Sequence, residues 1–171
     1  MSGSSPEHED LRFLKLGAPI ASHLGLQLLL LLNVWFFPVW FAVSCWATRA
    51  KHGLLDDVLV VLGPVLLALN TLFEGLRLFF GYLGNLSENP GALGGFLSLS
   101  IFLQAPLLII QLTTIRFHLT LAEWILDCLL LAFVATEIVA GYFAYTQIAV
   151  ANNRKILSTR KSIELDKINR T

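Results

Sequence analysis

Charge is the scarcest property of this 171-residue chain: Asp, Glu, Lys and Arg make up 14% of it, whereas a soluble domain carries about 25%. The 56% of hydrophobic residues also excludes intrinsic disorder. Cysteine is limited to Cys45 and Cys128, so a disulfide-rich scaffold is excluded and two free thiols within the membrane are expected. The composition therefore excludes an ordinary soluble enzyme domain.

Motifs that carry chemistry are also missing. No pair of His or Cys has metal-site spacing, and there is no nucleophile motif or glycine-rich phosphate loop. Twelve Lys and Arg balance twelve Asp and Glu, so the net charge gives no indication of nucleic-acid binding. The sequence predicts a protein that is not an enzyme and has no metal, no cofactor, no nucleic-acid partner and no small-molecule substrate.

Long apolar windows are what the chain has in abundance. Helices are expected at about 24–47, 57–80, 92–114 and 121–147, and about 20 residues suffice to cross a hydrocarbon core of about 30 Å. The apolar residues run continuously instead of alternating, which favours helices over a barrel. Because the connections are short, the sequence predicts an all-α, polytopic membrane protein with four transmembrane helices in an antiparallel bundle.

The positions of Lys and Arg predict the orientation in the membrane. The side that holds both termini carries eight of them outside the spans, and the opposite side carries three, so both termini are expected in the cytoplasm. The predicted division is a cytoplasmic segment at 1–22 that lacks the basic region of a signal peptide, a membrane domain at 23–149, and a basic cytoplasmic tail at 150–171. A glycan on the Asn85-Leu86-Ser87 sequon would contradict this orientation.

Charged residues inside the spans are few, and the second span holds two of them. Glu74 and Arg77 are three apart, so they share a helix face and can form an ion pair. Ionisable residues within a membrane mark a function or a packed interior. One interpretation is that Arg77 extends to the cytoplasmic interface with Glu74 as its local partner, and another is a structural pair between helices.

Glu137 lies near the middle of the fourth span. It could act as a proton-relay or ion-coordinating carboxylate. It could equally be a protonated, hydrogen-bonded packing residue that faces Asn70, Gln104 or Thr136. Together with Asn33 and Gln104, Glu137 is expected to form the buried polar interior of the bundle.

The interfaces are marked by tryptophan, which is enriched at the membrane boundary. Asp127 lies close to Trp124 near the outer end of the fourth span, so an interfacial position is expected for it. Trp46 is expected in the same outer belt, whereas Trp35 is expected to pack between helices.

The basic tail at 150–171 carries dispersed isoleucine and leucine residues. Two interpretations stay open. The tail could lie on the anionic inner leaflet or dock on a partner, or it could be a solvated helix that continues the fourth span.

A specific resemblance adds to this picture. The segment from Glu74 to Leu86, EGLRLFFGYLGNL, resembles the signature E-x-x-R-L-x-x-G-x-x-G-N-L of the transmembrane protein 17 family. The first and third spans contain further similar positions, so the resemblance covers about 26–112. These include Gln27, Asn33, Phe37, Pro38, Trp40, Gly95, Phe96, Leu103, Gln104, Pro106 and Leu107.

The resemblance implies a structural role at the cilium. Family members are four-helix proteins of the ciliary transition zone, belong to the Meckel-syndrome (tectonic-like) complex, and serve ciliogenesis, the membrane diffusion barrier and Hedgehog signalling. The implied partners are other transition-zone membrane and cytoplasmic proteins, and membrane lipids. Arg77 and Asn85 are expected to fix the loop after the second span and present it to partners, and Gly84-Asn85 suits a left-handed helix stop. The implied motif comprises Glu74, Arg77, Gly81, Gly84 and Asn85.

An alternative function also follows from the residues. Glu74, Arg77 and Glu137 could line a small transporter or ion pathway, which needs polar groups that converge near the membrane midplane.

Overall fold

The computed structural model describes residues 23–51, 53, 57–114 and 120–169; the predicted segment at 1–22 lies outside them. Six helical elements follow one another, and the described residues contain no strand. They are α1 (Leu24–Lys51), α2 (Asp57–Leu86), α3 (Pro90–Leu99), a π-helical turn (Ser100–Gln104), α4 (Ala105–Thr114) and α5 (Leu121–Asn169).

Four spans result, because α3, the π turn and α4 form one continuous helical rod. Each of the four is long and apolar enough to cross a membrane. Contacts at their ends make them antiparallel: Asn85 at the end of α2 touches His23 at the start of α1, and Lys51 at the end of α1 touches Glu123 at the start of α5. The predicted fold class is confirmed. We call the end where α1 begins the near end and the opposite end the far end.

The helices continue past the predicted spans. In particular, α5 runs without interruption to Asn169, and the side chains from Asn153 onward that the structure describes are exposed. At 1.5 Å per residue, the exposed part of α5 after Asn152 is about 25 Å long. The structure shows that the tail continues the fourth span as a helix, while its docking on the inner leaflet or on a partner stays a prediction.

The turn between α2 and α3 differs from the prediction. Gly84 and Asn85 lie inside α2, and the left-handed residue is Glu88, with a φ of 51°. Asn89 then starts α3, since its side chain accepts hydrogen bonds from the backbone amides of Gly91 and Ala92. The predicted helix stop at Gly84-Asn85 was wrong because these residues are needed for close helix packing, not for the turn.

The third span contains the π turn at its centre. The backbone amide of Ala105 donates to the carbonyl of Ser100, five residues earlier. Pro106 follows and has no amide to donate, so regular α-helical bonding is interrupted here in any case. Ser100 and Gln104, the first and last residues of this turn, are both buried in the interior. π turns inside α-helices often occur where a function needs one side chain displaced.

Two apolar clusters pack the bundle. The near-end cluster includes Leu30, Leu93 and Phe96, and the far-end cluster centres on Trp40. Most other large apolar side chains face outward, where a membrane would surround them. Trp35 is among these outward residues, 75% exposed, while Trp40 is fully buried. The prediction that Trp35 packs between helices was therefore wrong.

Glycines allow the helices to approach closely at the near end. A Cβ atom on Gly84 would lie 2.7 Å from the backbone nitrogen of Leu93. Because this nitrogen belongs to the backbone, the clash could be relieved only by moving the helices apart. Phe96 occupies a notch between Gly81 and Gly141, where added Cβ atoms would lie 2.8 and 2.7 Å from its ring. Small residues at such contacts are a general means of packing membrane helices.

Replacing Gly84 with alanine should therefore separate α2 from α3. We expect Gly84→Ala to lower the free energy of unfolding by about 1–3 kcal/mol, the usual effect of overpacking. Gly75→Ala is the matched control, because nothing lies within 4 Å of its added Cβ on the same helix. The measurement is thermal or SDS-induced unfolding of both variants in detergent, and equal stability of the two would contradict the close contact.

Candidate functional site

Polar side chains from all four spans are buried between the helices. They lie along the bundle from the near end to the far end and form the candidate site. The fully or almost fully buried members are Asn33, Ser44, Asn70, Glu74, Arg77, Asn85, Ser100, Gln104, Gln111, Glu123, Asp127 and Glu137.

The arginine cluster consists of Asn33, Glu74, Arg77 and Glu137. Arg77 Nη2 lies 2.5 Å from Glu74 Oε1, Arg77 Nε donates to Glu74 Oε2 at 3.3 Å, and Arg77 Nη1 pairs with Glu137 Oε2. Asn33 Nδ2 donates to Oε1 of Glu74 at 2.9 Å and to Oε1 of Glu137 at 3.0 Å. The cluster thus connects α1, α2 and α5.

The third span contributes an aromatic ring that packs against the arginine cluster. The guanidinium carbon of Arg77 lies 5.6 Å from the centre of the Phe96 ring, a cation–π distance. All four cluster side chains are fully buried. The interpretation in which Arg77 extends to the interface is therefore wrong, because Glu137 supplies a second partner at the depth of the guanidinium. The hydrogen-bond partners of Glu137 are Asn33 and Arg77, in place of the predicted Asn70, Gln104 or Thr136.

A second group, the aspartate chain, lies toward the far end. Gln104 donates to Asn70 at 3.5 Å, Asn70 to Gln111 at 2.7 Å, and Gln111 to Asp127 at 2.9 Å. The indole nitrogen of Trp40 donates to the other oxygen of Asp127 at 2.7 Å. These bonds connect all four spans through side chains alone.

The interfacial depth expected for Asp127 stays a prediction, and the structure shows that its side chain is fully buried between the helices. Two donors from other spans, Trp40 and Gln111, make the buried position tolerable. Sequence reasoning missed both donors. The available signal was that a tryptophan within a span needs an acceptor for its N–H group when it is buried.

Asn85 joins the end of α2 to the start of α1 at the near end of the bundle. Its Oδ1 accepts from the backbone amide of His23 at 2.9 Å, and its Nδ2 donates to the His23 carbonyl at 3.2 Å and to Gln27 Oε1 at 2.9 Å. The side chain is 1% exposed. A glycan could not be attached here without breaking these bonds, so the absence of a glycan would say nothing about orientation.

A separate ion pair, which sequence reasoning missed, joins α1 to α5 at the far end. Lys51 Nζ lies 2.6 Å from Glu123 Oε2. Glu123 also accepts from the backbone amide and hydroxyl of Thr120 at 2.8 and 2.9 Å, which caps the start of α5. The signal in the sequence was the Thr120-x-x-Glu123 spacing of a capping box.

The family signature coincides with the buried face of α2. Its residues Glu74, Arg77, Gly81 and Gly84 recur every three or four positions, and Asn85 lies four positions after Gly81. All five are buried on one face of the helix. The structure therefore brings the five motif residues onto one packed face. It does not place them on an exposed loop.

Two buried oxygen atoms have no hydrogen-bond partner within the described residues: Asn33 Oδ1 in the arginine cluster and Gln104 Oε1 at the start of the aspartate chain. Over the same part of the chain, no three His, Cys, Asp or Glu side chains come close enough to hold a metal ion. Cys45 and Cys128 are free thiols.

Comparisons with known proteins agree with this architecture. The family model Transmemb_17, described as "Predicted membrane protein", matches residues 28–134. Transmembrane protein 17B of Xenopus tropicalis is 36% identical over 126 residues, which cover 74% of this chain and 58% of that protein. Human transmembrane protein 17 is 31% identical over 141 residues, or 82% and 66% of the two chains. No solved structure matches.

Fold and site together define a polytopic helical membrane protein whose interior is hydrogen-bonded through side chains. A zebrafish (Danio rerio) relative, transmembrane protein 17B, is 32% identical over 84% of this chain and 75% of its own length. The chain belongs to the transmembrane protein 17 family. It spans little more than half the length of several curated relatives that it matches.

The aspartate chain yields a testable prediction. Trp40→Phe keeps an aromatic ring but removes the N–H donor to Asp127, so we expect the free energy of unfolding to fall by about 1–3 kcal/mol. Trp35→Phe is the control, since Trp35 faces outward and should change stability by less than about 0.5 kcal/mol. Unfolding in detergent, followed by circular dichroism, measures both variants. If Trp40→Phe left the free energy of unfolding unchanged, the bond from Trp40 to Asp127 would not stabilise the bundle.

Proposed function

We propose that this chain is a structural, non-enzymatic subunit of a membrane-protein assembly at the ciliary transition zone, the Meckel-syndrome (tectonic-like) complex. In this role it supports ciliogenesis, the diffusion barrier between ciliary and plasma membranes, and Hedgehog signalling. Membership of the transmembrane protein 17 family supports the proposal. Its partners would be the other membrane and cytoplasmic proteins of that complex, together with the surrounding lipids.

One observation carries the structural part of this proposal: the two charged groups of the signature, Glu74 and Arg77, are paired inside the bundle, and Glu137 of α5 is the second partner of Arg77. Glu74, Arg77 and Glu137 form closed ion pairs inside the bundle, so their evident effect is to hold helices together. A membrane subunit with such a core can present its outward apolar surface to other transmembrane helices.

Orientation is part of the proposal. With both termini in the cytoplasm, the near end of the bundle and the exposed part of α5 would face cytoplasmic partners. Lys155 of α5 lies 3.4 Å from Glu88 in the turn between α2 and α3, and Asn152 donates to the Glu88 carbonyl at 3.4 Å. These contacts would fix the direction in which the tail leaves the membrane.

Imaging tests the location directly. A tagged copy of the full chain, expressed at low level in ciliated cells, should concentrate at the ciliary base beside a transition-zone marker. A diffuse signal in the endoplasmic reticulum or plasma membrane would contradict the proposal.

Removing Arg77 should disable assembly without preventing insertion. Arg77→Leu leaves Glu74 and Glu137 facing each other without a cation, which loosens α2 from α5. We expect at least a several-fold loss of co-purification with transition-zone partners and loss of the focal signal. Arg49→Leu, at an exposed cation of α1, should keep both. Normal co-purification of Arg77→Leu would show that the arginine cluster is dispensable for assembly.

An ion pathway is the second candidate. The observation in its favour is that Glu74, Arg77 and Glu137, from two spans, meet in one buried cluster beside an unpartnered oxygen of Asn33. Proton or cation flux into liposomes that contain the purified chain, abolished by Glu137→Gln, would establish it. Liposomes no leakier than protein-free ones would exclude it.

A further inference from the structure

The arginine cluster contains more acid than base. Two carboxyl groups, Glu74 and Glu137, share one guanidinium, Arg77, and all three side chains are fully buried. If both carboxyls were ionised, the cluster would carry one uncompensated negative charge inside the membrane. Such a charge is strongly unfavourable in hydrocarbon.

No other charged group compensates the excess. Among the described residues, α1 contributes the neutral amide of Asn33 and α3 the ring of Phe96. Arg77 always keeps its own charge. The excess must therefore be balanced by something small enough to fit between these side chains.

Asn33 provides what a proton requires. Its Nδ2 atom already touches one oxygen of each carboxyl, at 2.9 and 3.0 Å. Its Oδ1 atom is buried and has no partner in the described part of the chain. A protonated carboxyl gains an O–H donor and needs an acceptor, and Asn33 Oδ1 is a buried acceptor of this cluster that is still unpartnered among the described residues.

We propose that Glu74 and Glu137 bind one proton between them at neutral pH. With this proton bound, the cluster consists of one guanidinium, one carboxylate and one carboxylic acid, and its net charge is zero. The proton belongs to the pair, since the two groups are coupled through Arg77 and Asn33. This site neutralises the junction of α1, α2 and α5, and it follows from the geometry whichever function the chain performs.

Infrared spectroscopy tests the proposal on the intact protein. The full chain is labelled with ¹³C at the glutamate side-chain carboxyl and placed in lipid nanodiscs near pH 7. We expect a protonated-carboxyl C=O band that shifts with the label and moves slightly in D₂O, with an intensity of about one group per chain. A band from Asp127 would not shift with the label, so the two sites are distinguished without any mutation.

Variants then assign the band. Glu137→Gln and Glu74→Gln each replace one acid with a neutral amide, so each should abolish the label-sensitive band. Glu123→Gln is the control, because Glu123 is paired with Lys51 at the far end and its loss should leave the band intact. The proposal is overturned if the labelled wild-type protein shows no such band, or if the band survives in both cluster variants. The measurement on the wild-type protein tests the proposal even if a variant does not fold.

Discussion

Neutralising a guanidinium inside an apolar bundle is the constraint on which this structure depends. Arg77 cannot lose its proton, and because its side chain is fully buried, its partners must come from the protein itself. Glu74 meets it from one turn earlier on α2, and Glu137 meets it from α5. Because ion pairs require atoms within a few ångströms, this one residue fixes the relative depth and rotation of α2 and α5, and Asn33 adds α1.

Polar bonding matters more here than it would in a soluble bundle. In a membrane, lipid chains solvate the outer faces of the helices as well as neighbouring helices do, so apolar contact alone gives little preference for one arrangement. The arginine cluster sets the arrangement in the middle of the bundle, and the aspartate chain around Asp127 sets it toward the far end. Close packing at Gly84 and the bonds of Asn85 complete it at the near end.

The sequence determined the spans more clearly than the contacts between them. Uncharged windows identify membrane helices through composition, and the Glu74–Arg77 pair follows from helical spacing alone. The pairing of Arg77 with Glu137, 60 residues later, depends on how α2 and α5 are rotated about their axes, and the hydropathy of a span does not specify that rotation. For the same reason the sequence did not show that Trp40 faces inward and Trp35 outward.

Local signals misled where packing overrode them. Gly84-Asn85 has the composition of a helix stop, yet the backbone of α3 approaches Gly84 so closely that the glycine is required within the helix. The left-handed conformation then falls on Glu88, a residue that sequence preferences would not select.

The inward position of the signature changes what it can contribute to assembly. Side chains that are bonded to their own neighbours, as Arg77 and Asn85 are, cannot simultaneously bond to another subunit. The signature therefore specifies the shape of the bundle, and within the part of the chain that the structure describes, the surfaces open to a partner are the outward faces of the spans and the exposed part of α5 beyond Asn152. A substitution in the signature would then disturb every partner contact together, because it alters the bundle on which all of them rest.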